Sequence, residues 1–457
     1  APVKNQVTAA NVYLGAEPVV RALDADCLVI VTGRVTDTGI TLAPMIHEFG
    51  WDDDDWDRLA AGIVAGHIIE CGTQASGGNL TDWREVPDLA TVGYPIVEMG
   101  EDGVFEVTKH KGTGGLVSLK TVKEQLVYEM GDPQMYISPD VIARFDTIKL
   151  EQVGPNRVRV SGVKGEPRPV MFKVSMAYDD GWKAGGTILI CGPEADQKAE
   201  AAAKIFWKRL GHRYEEKHDS VVGSGSIWPE SLDRYETSEV LLRLGVRDHD
   251  RAKVEEFGVL LPTLILSGPS GMAVMGGRPK PGRVVAYWPA LIRRSNVESR
   301  VVVIAPSGNE ATMTVTFVDE APPRIHMSAP VERRPRVKSW SKRTRRTKLR
   351  TLAFARSGDK GDTCNVGLLA RSPEIYDWLR ETLTPPVVKR FFTGIVKGKV
   401  TRHELHNLNA LNFLMERSLG GGGTVSLMLD PQGKTLSQAL LEMEVDAPVA
   451  IIPKGGA

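Results

Sequence analysis

No stretch of the chain approaches the roughly 20 consecutive apolar residues that a membrane-spanning helix needs. The opening residues, APVKNQVTAANVY, also lack the continuous apolar centre of a secretory signal peptide. Both absences argue against a membrane or secreted protein. We therefore expect a cytoplasmic protein with no membrane partner.

Cysteine is scarce, with four residues in 457, and no two of them form a CxxC pair. Cys27, Cys71, Cys191 and Cys364 lie far apart, which argues against a disulfide framework and against a compact zinc site. We expect reduced thiols, no metal and no resident cofactor.

Neither sign of charge is in excess, because 57 Lys and Arg residues balance 57 Asp and Glu residues. Overall charge therefore predicts no nucleic-acid partner. One segment departs from this balance, since residues 331–350 hold ten Lys or Arg and one Glu. Like charges repel, so the segment is typical of an extended linker. The alternatives are nucleic-acid contact and a cationic rim that attracts a phosphorylated or CoA-bearing ligand.

Length and periodicity predict a mixed α/β protein of about two to three domains. Residues 27–33, CLVIVTG, are apolar and β-branched, as in a central strand covered on both faces, and a helix precedes them. A second unit joins a strand at 186–191 to a helix from Glu194 to about Leu210. Residues 84–178 alternate apolar and polar side chains, which indicates antiparallel strands.

After the basic segment, residues 348–383 have the pattern strand, charged loop, strand and helix. HELHNLNALNFLMERSL, residues 403–419, favours a second helix, TVSLMLD a further strand and TLSQALLEME a last helix. This order suits a small ferredoxin-like α+β domain. We predict a core domain at 1–330, a basic linker at 331–348 and the ferredoxin-like domain at 349–457.

Several long stretches carry a resemblance to a known family. They are VTGRVTDTGITLAPMIHEFGW, HIIECGTQASGGNLTDW, GYPIVEM, TKHKGTGGLVSLKTVKEQLVYEMGDPQMYISPDV and, after the basic segment, FARSGDKGDTCNVGLLARSPE. Together they resemble the acyclic terpene utilization protein AtuA family over nearly the whole chain. The resemblance implies an AtuA core domain followed by an AtuA-like ferredoxin-fold domain. Family members typically begin with a glycine-rich strand and turn ahead of the segment that opens this chain, so the resemblance also implies a core domain that starts partway.

The resemblance implies a part in the catabolism of branched acyl-CoA thioesters, by hydration, dehydration or carbon–carbon cleavage. We accordingly expect a lyase that takes an acyl-CoA as its small-molecule substrate and forms a homo-oligomer. The alternative is a non-catalytic subunit that docks a partner enzyme of the same pathway. A metal-dependent hydrolase is a third hypothesis.

The segment IVTGRVTD offers the first candidate ligand contacts. If residues 27–32 form a central strand, Arg34 and Asp37 follow its carboxyl end, where α/β sheets bind ligands. Arg34 could then clamp a carboxylate or phosphate with two hydrogen bonds. The alternative is an Arg34–Asp37 ion pair that fixes the turn.

His67, Glu70 and Cys71 have the spacing that places side chains on one face of a helix. His67 could transfer protons there, or simply be hydrogen-bonded at a helix end. The SGGN turn that follows can offer backbone N–H groups and an amide to an anion. The residues of this region predicted to bind substrate are Ser76, Gly77, Gly78, Asn79 and Asp82.

TKHKGTGGLVS places His110 beside a second glycine-rich turn. An imidazole suits removal of a proton next to a thioester carbonyl, and N–H groups of the turn could stabilise the enolate oxygen. A hairpin turn with solvent-facing cations is the alternative. We predict that Thr113 and Gly114 contact the substrate.

ARSGDKGDTCN, residues 355–365, concentrates charge where a predicted strand ends. Gly358 and Gly361 would let this backbone approach a ligand or a neighbouring subunit. We predict that the loop docks on the core domain, with Arg356 or Lys360 meeting an acidic or phosphate group. A self-contained cluster of ion pairs is the alternative. The substrate contacts predicted here are Arg356, Asp362 and Asn365, and the predicted catalytic residues of the chain are His110, His67, Asp359 and Lys360.

Overall fold

The computed structural model describes residues 6–225, 228–232, 237–319 and 340–453. It confirms the α/β class, because helices and antiparallel sheets form a large N-terminal unit and a smaller α+β unit follows. None of the helices in these ranges combines the length and apolar composition that crossing a bilayer requires. Half of the predicted linker, residues 331–339 of 331–348, lies outside the described residues.

Four helices of the N-terminal unit pack in succession, each against the next: α1 (Glu17–Leu23), α2 (Asp37–Phe49), α3 (Trp56–Ile69) and α4 (Leu119–Leu126). Residues Leu59 to Ile68 of α3 are buried because nearly all of them are apolar or small. Gly66 lets α3 approach α2 closely, since a Cβ atom there would lie 2.7 Å from the Cα atom of Thr38. Ser118 and Thr121 form a capping box that starts α4, the helix that faces the C-terminal unit.

The described strands of this unit are β1 (Val7–Val12), β2 (Pro95–Met99), β3 (Phe105–Lys109), β4 (Tyr136–Ile137), β5 (Ile142–Arg144), β6 (Lys149–Gly154), β7 (Arg157–Ser161), β8 (Lys164–Glu166), β9 (Met171–Cys191), β10 (Glu216–Val222), β11 (Glu239–Asp248), β12 (Met272–Met275), β13 (Gly282–Arg293), β14 (Glu298–Ile304) and β15 (Glu310–Thr316). They pair in the orders β2-β3-β7-β6, β4-β5-β8 and β1-β9-β11-β10, with β12 and β13 also on β9. The alternation at residues 84–178 thus correctly predicted antiparallel strands.

The predicted central strand at 27–32 is wrong. Leu28, Val29 and Val31 are 100%, 83% and 92% exposed, and no strand in the described ranges pairs with this segment. β-branched residues favour a strand only where a neighbouring strand accepts and donates the backbone hydrogen bonds. The one nearby bridge joins Leu14 to Val35.

The second predicted strand and helix are present. β9 ends at Cys191, and α5 (Ala195–Leu210) follows and ends at Gly211, whose φ of 67° suits glycine. α5 and α6 (Arg251–Leu260) pack apolar side chains such as Phe206 and Phe257 on the sheet of β9 and β11.

The C-terminal unit contains β16 (Thr344–Lys348), β17 (Ala353–Lys360), β18 (Thr363–Ala370), α7 (Pro373–Thr382), α8 (Pro385–Phe391), β19 (Val400–Leu405), β20 (Ala410–Met415), α9 (Leu436–Leu441) and β21 (Glu444–Pro448). Its main sheet has the order β17-β18-β20-β19, and β16 pairs with β21. The strand β16 therefore lies within the segment predicted as linker.

Three expectations for this unit are wrong. Residues 403–419 hold most of the β19–β20 hairpin rather than a helix, because Leu411, Phe413 and Met415 repeat with period two and Asn409 turns the chain at a φ of 54°. The stretch 424–430 is not a strand. The charged stretch 355–365 is not a loop, since it belongs to β17 and β18 and the turn is only Gly361 and Asp362.

Both faces of the C-terminal sheet are covered. One face packs Val366, Leu368 and Phe413 against helices of its own unit. The other places Phe354 and Leu369 in the hydrophobic core of the N-terminal unit. Because side chains alternate along a strand, the second face also carries Arg356 and Asn365 towards α4 and the residues that follow it.

Candidate functional site at the domain junction

The C-terminal sheet meets the end of α4 through a buried ion pair. Arg356 Nη2 lies 3.1 Å from Glu124 Oε2, and the Glu124 side chain has no exposed surface. The Thr81 N–H donates to both Glu124 oxygens, and Arg356 also donates to the Gly78 carbonyl. Burial raises the pKa of Glu124 to about 7, although the charge of Arg356 opposes this shift.

Two buried asparagines join the same sheet face to the residues that follow α4. The Asn365 amide donates to the Val127 carbonyl at 2.8 Å and to Asn412 Oδ1 at 3.0 Å. The Asn412 amide donates to the Met130 carbonyl at 2.9 Å. The bond to Val127, the C-cap residue of α4, satisfies a carbonyl group that has no further helical turn to pair with. Asn365 therefore holds the two units together.

A cluster of ion pairs lies beside these asparagines. Lys434 Nζ is 2.6 Å from Tyr128 Oη, 2.7 Å from Glu129 Oε1 and 3.2 Å from Asp359 Oδ1. Lys360 Nζ is 3.5 Å from the other Glu129 oxygen. Glu129 has a φ of 50°, a left-handed conformation that non-glycine residues rarely adopt. Asp359 and Lys360 thus contact charged partners from the core domain and from the Lys434 loop.

Asp362 has a structural position in the β17–β18 turn. Its Oδ1 accepts the N–H groups of Leu419 and Gly421, at 3.1 and 2.9 Å. The carboxylate therefore anchors the glycine-rich segment after β20.

An open cleft of about 990 Å³ lies next to the Glu124–Arg356 pair, between the two units. Thr81, whose N–H donates to Glu124, forms part of its wall. The charged and aromatic residues that line it are Asp82, Trp83, Arg84, Glu85, Lys348, Arg350, Arg371 and Glu442.

Most charges of the cleft are paired. Arg371 donates to both Asp82 oxygens at 2.6 and 2.7 Å, and these bonds lower the pKa of Asp82 to about 2. Lys348 and Arg350 each lie 2.6 Å from a Glu442 oxygen. Asp82 is therefore ionised at neutral pH and bound to the cleft wall.

Arg84 and Trp83 differ from these paired residues. The guanidinium of Arg84 lies 4.4 Å from the centre of the Trp83 ring, a cation–π contact. Arg84 forms no salt bridge with acidic residues of the described ranges, and Trp83 is 51% exposed. The cleft thus presents an aromatic surface and a cation to solvent.

The SGGN turn uses its N–H groups internally. Gly77 donates to the Gln74 carbonyl and Gly78 to the Thr73 carbonyl. The Ser76 hydroxyl donates to the Gly93 carbonyl at 2.6 Å, and Asn79 adopts a φ of 58°. None of these four residues lines the cleft, and the Gly77 and Gly78 N–H groups are not directed at an anion.

His67 is buried at the helix end. It is 1% exposed, its Nε2 lies 3.0 Å from the Gln125 carbonyl and its Nδ1 lies 3.3 Å from Glu70 Oε1. Burial raises the pKa of the neighbouring Cys71 thiol. The described ranges contain no group of three or more His, Cys, Asp and Glu side chains that could hold a metal ion.

His110 lies at the exposed end of β3, in the turn that contains Thr113 and Gly114. The Thr113 hydroxyl donates to the His110 carbonyl, and the Gly114 carbonyl accepts the N–H of Asp88. This turn therefore packs on the segment that follows Trp83.

Arg34 and Asp37 lie apart from the domain junction. Arg34 is exposed, with its guanidinium 5.2 Å from the centre of the Tyr13 ring. Asp37 is the first residue of α2, whose start is capped by Thr36. Neither follows a strand end, because the predicted strand at 27–32 does not form.

Sequence reasoning missed several residues of the junction. Glu124 lies in an ordinary amphipathic helix, and Lys434 is 75 residues along the chain from Asp359, its contact in β17. Trp83 and Arg84 directly follow the SGGNLTD motif, so their position next to that motif was the one available signal.

Comparison with known families covers most of the chain. Residues 1–303 match the sequence model described as "Acyclic terpene utilisation family protein AtuA". Residues 347–446 match the one described as "AtuA ferredoxin-like domain". No curated protein and no solved structure matches the chain.

Proposed function

Since the chain belongs to the acyclic terpene utilisation family AtuA and carries an AtuA ferredoxin-like domain, we propose that it acts in the catabolism of branched acyl-CoA thioesters. The CoA portion binds in the cleft at the domain junction. The acyl portion undergoes hydration, dehydration or carbon–carbon cleavage. Family membership supports the metabolic context, and the cleft supports the class of ligand.

The observation that carries this proposal is the exposed Trp83–Arg84 pair in a cleft of about 990 Å³. CoA contains an adenine ring and several phosphate groups. The ring of Trp83 offers a stacking surface for adenine, and the guanidinium of Arg84 suits phosphate. The volume is at the upper end of the range of small-molecule sites, as a ligand of this size requires.

The basic segment supports the same ligand. Lys348 and Arg350 are the last cations of residues 331–350, and both line the cleft. Because the two cations share the single carboxylate of Glu442, one positive charge remains, which favours the cationic rim over a linker that makes no contact with ligand. The part of the segment before Trp340 lies outside the described residues.

For the chemical step, His110 is the proton-transfer residue of this proposal. It is exposed, and its turn packs on Asp88, close in sequence to Trp83 and Arg84. His67 has no comparable access, because its ring lies between Tyr136 and Phe145 in the core. We therefore assign His67 to packing at the end of α3.

Calorimetric titration with CoA tests the binding site. Arg84→Glu places a negative charge where a phosphate is expected, and we expect about tenfold weaker binding or more. Arg278→Glu is the matched control, because Arg278 is also exposed and does not line the cleft. Equal loss of affinity in both variants, or none in Arg84→Glu, would contradict the proposed site.

Mass spectrometry of products tests the reaction. Hydration of a branched enoyl-CoA adds one water across the carbon–carbon double bond, whereas cleavage of a hydroxyacyl-CoA gives a shorter acyl-CoA and a carbonyl compound. We expect one of these products with the unmodified protein and a large loss of rate in His110→Gln, with CoA affinity unchanged. Full rate in His110→Gln would remove that residue from the mechanism.

The second candidate function is a non-catalytic subunit that docks a partner enzyme of the pathway. The observation that favours it is the exposed apolar segment at Leu28, Val29 and Val31. A strand from the partner would satisfy the hydrogen bonds of this segment and cover its side chains. A stoichiometric partner that co-purifies with the chain, together with no turnover by the chain alone, would favour this function.

A further inference from the structure

A second cavity, of about 180 Å³, lies among α1, α2, α3 and the segments that follow β8 and β13. None of its lining residues also lines the cleft at the domain junction. Its charged lining comprises Glu17, Arg21, Asp53, Asp140, Arg168 and Arg294. The proposed function uses none of these residues.

Asp140 is the deepest acidic group of this cavity. Its Oδ1 accepts the Ala16 N–H at 2.8 Å, while its Oδ2 is buried and has no hydrogen-bond partner in the described part of the chain. Gly15 makes room for the carboxylate, because a Cβ atom there would lie 2.0 Å from Asp140 Oδ1. A buried carboxylate oxygen without a partner is costly, so Asp140 favours a hydrogen-bonding group that enters this cavity.

Positive charge faces Asp140 from two directions. Arg294 is 4% exposed, donates to the Pro139 carbonyl at 2.8 Å and lies over the ring of Phe172. Arg168 reaches the cavity from the segment after β8 and lies 3.2 Å from Asp53. Burial raises the pKa of Asp140 to about 6, and the charges of Arg294 and Arg168 limit that rise.

We propose that this cavity binds a small carboxylate anion. The charges of Arg168 and Arg294 attract the anion, and the Asp140 carboxylate takes up a proton from solvent as the anion enters. The two guanidinium groups attract the anion through their charge. Neither group needs an unoccupied hydrogen-bonding position for this attraction. The proposal is independent of CoA binding in the cleft.

The volume of the cavity and its lining residues indicate which carboxylates it can hold. Val20, Ile46, Leu59 and Phe317 supply apolar walls, which suit a short hydrocarbon chain better than they suit phosphate. A dry cavity of about 150 Å³ can hold benzene, so this one admits a carboxylic acid of similar size. A branched acid of about seven non-hydrogen atoms fits this description.

The sign of the pH dependence follows from the groups that face Asp140. These are Glu17 and Arg21 of α1, Asp53 of the loop after α2, and Arg168 and Arg294. When Asp140 ionises as pH rises, it adds a negative charge near the bound anion. Carboxylate affinity should therefore fall between about pH 5 and about pH 8, and binding should be coupled to proton uptake.

Calorimetric titration of the full chain with 3-methylbutanoate tests the inference at about pH 5 and about pH 8, on either side of the pKa of Asp140. We expect severalfold weaker binding at the higher pH. Asp140→Asn keeps an oxygen for the Ala16 N–H and should remove most of this difference. The neutral isostere 3-methylbutanamide should bind weakly at both pH values.

Arg168→Gln provides a second, independent variant, because it removes the charge of this side chain and keeps a polar group near Asp53. We expect about tenfold weaker carboxylate binding, the usual size of one lost charged contact. The control Arg159→Gln removes an exposed arginine of β7 and should leave affinity unchanged.

Three results would overturn the inference: no binding of 3-methylbutanoate at either pH, equal binding of acid and amide, or unchanged affinity in Arg168→Gln. Inorganic phosphate that binds as tightly as the acid would also overturn the assignment to a carboxylate. Arg84→Glu should leave carboxylate affinity unchanged, which separates this inference from the proposed binding of CoA.

Discussion

Arg356 of the C-terminal sheet and Glu124 of α4 form a buried ion pair whose closest atoms are 3.1 Å apart. Burying two charges costs free energy that their attraction offsets only when their other hydrogen-bonding positions are also satisfied. The Thr81 N–H and the Gly78 carbonyl provide such partners here, while Arg356 Nε has none in the described part of the chain. Arg356 can therefore occupy a buried strand because this strand packs against Glu124 of α4.

Removing one member of this pair should strongly destabilise the protein. Arg356→Met leaves Glu124 buried without its cation, and we expect a loss of about 3 to 5 kcal/mol in the free energy of unfolding. Urea denaturation measures this loss. The matched control is Lys360→Met on the same strand, whose exposed pair with Glu129 is worth about 1 kcal/mol or less. Similar losses in the two variants would contradict the assignment of a buried pair.

The stability of the protein should depend on pH through Glu124. Burial raises its pKa from 4.5 to about 7, so the folded state binds a proton more tightly than the unfolded state does. The contribution of protonated Glu124 to the free energy of unfolding is therefore fully present below pH 4.5 and is lost as pH rises through about 7. We expect Glu124→Gln to remove this contribution, as measured by denaturation at several pH values. A variant with the same pH profile as the unmodified protein would show that another group is responsible.

Gly367 should tolerate no side chain. A Cβ atom there would lie 2.5 Å from Val127 Cβ, so Gly367→Ala forces the sheet away from α4 and should cost about 1 to 3 kcal/mol. Gly361→Asn is the control, because Gly361 faces open space at a φ of 66° that asparagine accepts. Thermal unfolding compares the two, and we expect little change in the control.

Asn365→Ala should loosen the domain junction. The variant removes the donor to the Val127 carbonyl and to Asn412, and leaves buried polar groups without partners, at a cost of about 1 to 3 kcal/mol. Hydrogen exchange should become faster in α4 and β18 relative to α5. Faster exchange in all three elements alike would indicate general destabilisation instead.

Cys364 should be the least reactive thiol. Burial raises its pKa, and its Sγ lies against the Gly433 carbonyl. We expect a thiol reagent at neutral pH to label Cys364 only after denaturation, as followed by mass spectrometry of peptides. Labelling of Cys364 at the rate of the partly exposed Cys27 in the folded protein would contradict this placement.

Elements fixed by local contacts were predictable from the sequence. α5 has acidic residues at its start, basic residues at its end, an apolar face and a glycine stop, and all of these act within the helix itself. The antiparallel strands between residues 84 and 178 likewise follow from alternation along each strand. The candidate site was less predictable, because Glu124 and Lys434 carry no local sign of the partners they meet.

The sequence by itself determined the α/β class, the family and the local elements whose signals lie within a few residues of one another. Only the tertiary structure decided that residues 27–32 remain unpaired, that residues 403–419 include a hairpin, and that the charged stretch at 355–365 forms two strands. The physical reason is that a strand's stability, and the cost of a buried charge, depend on groups far away in the chain. Arg356 is charged in sequence, and it is stable in a buried strand because Glu124 lies opposite.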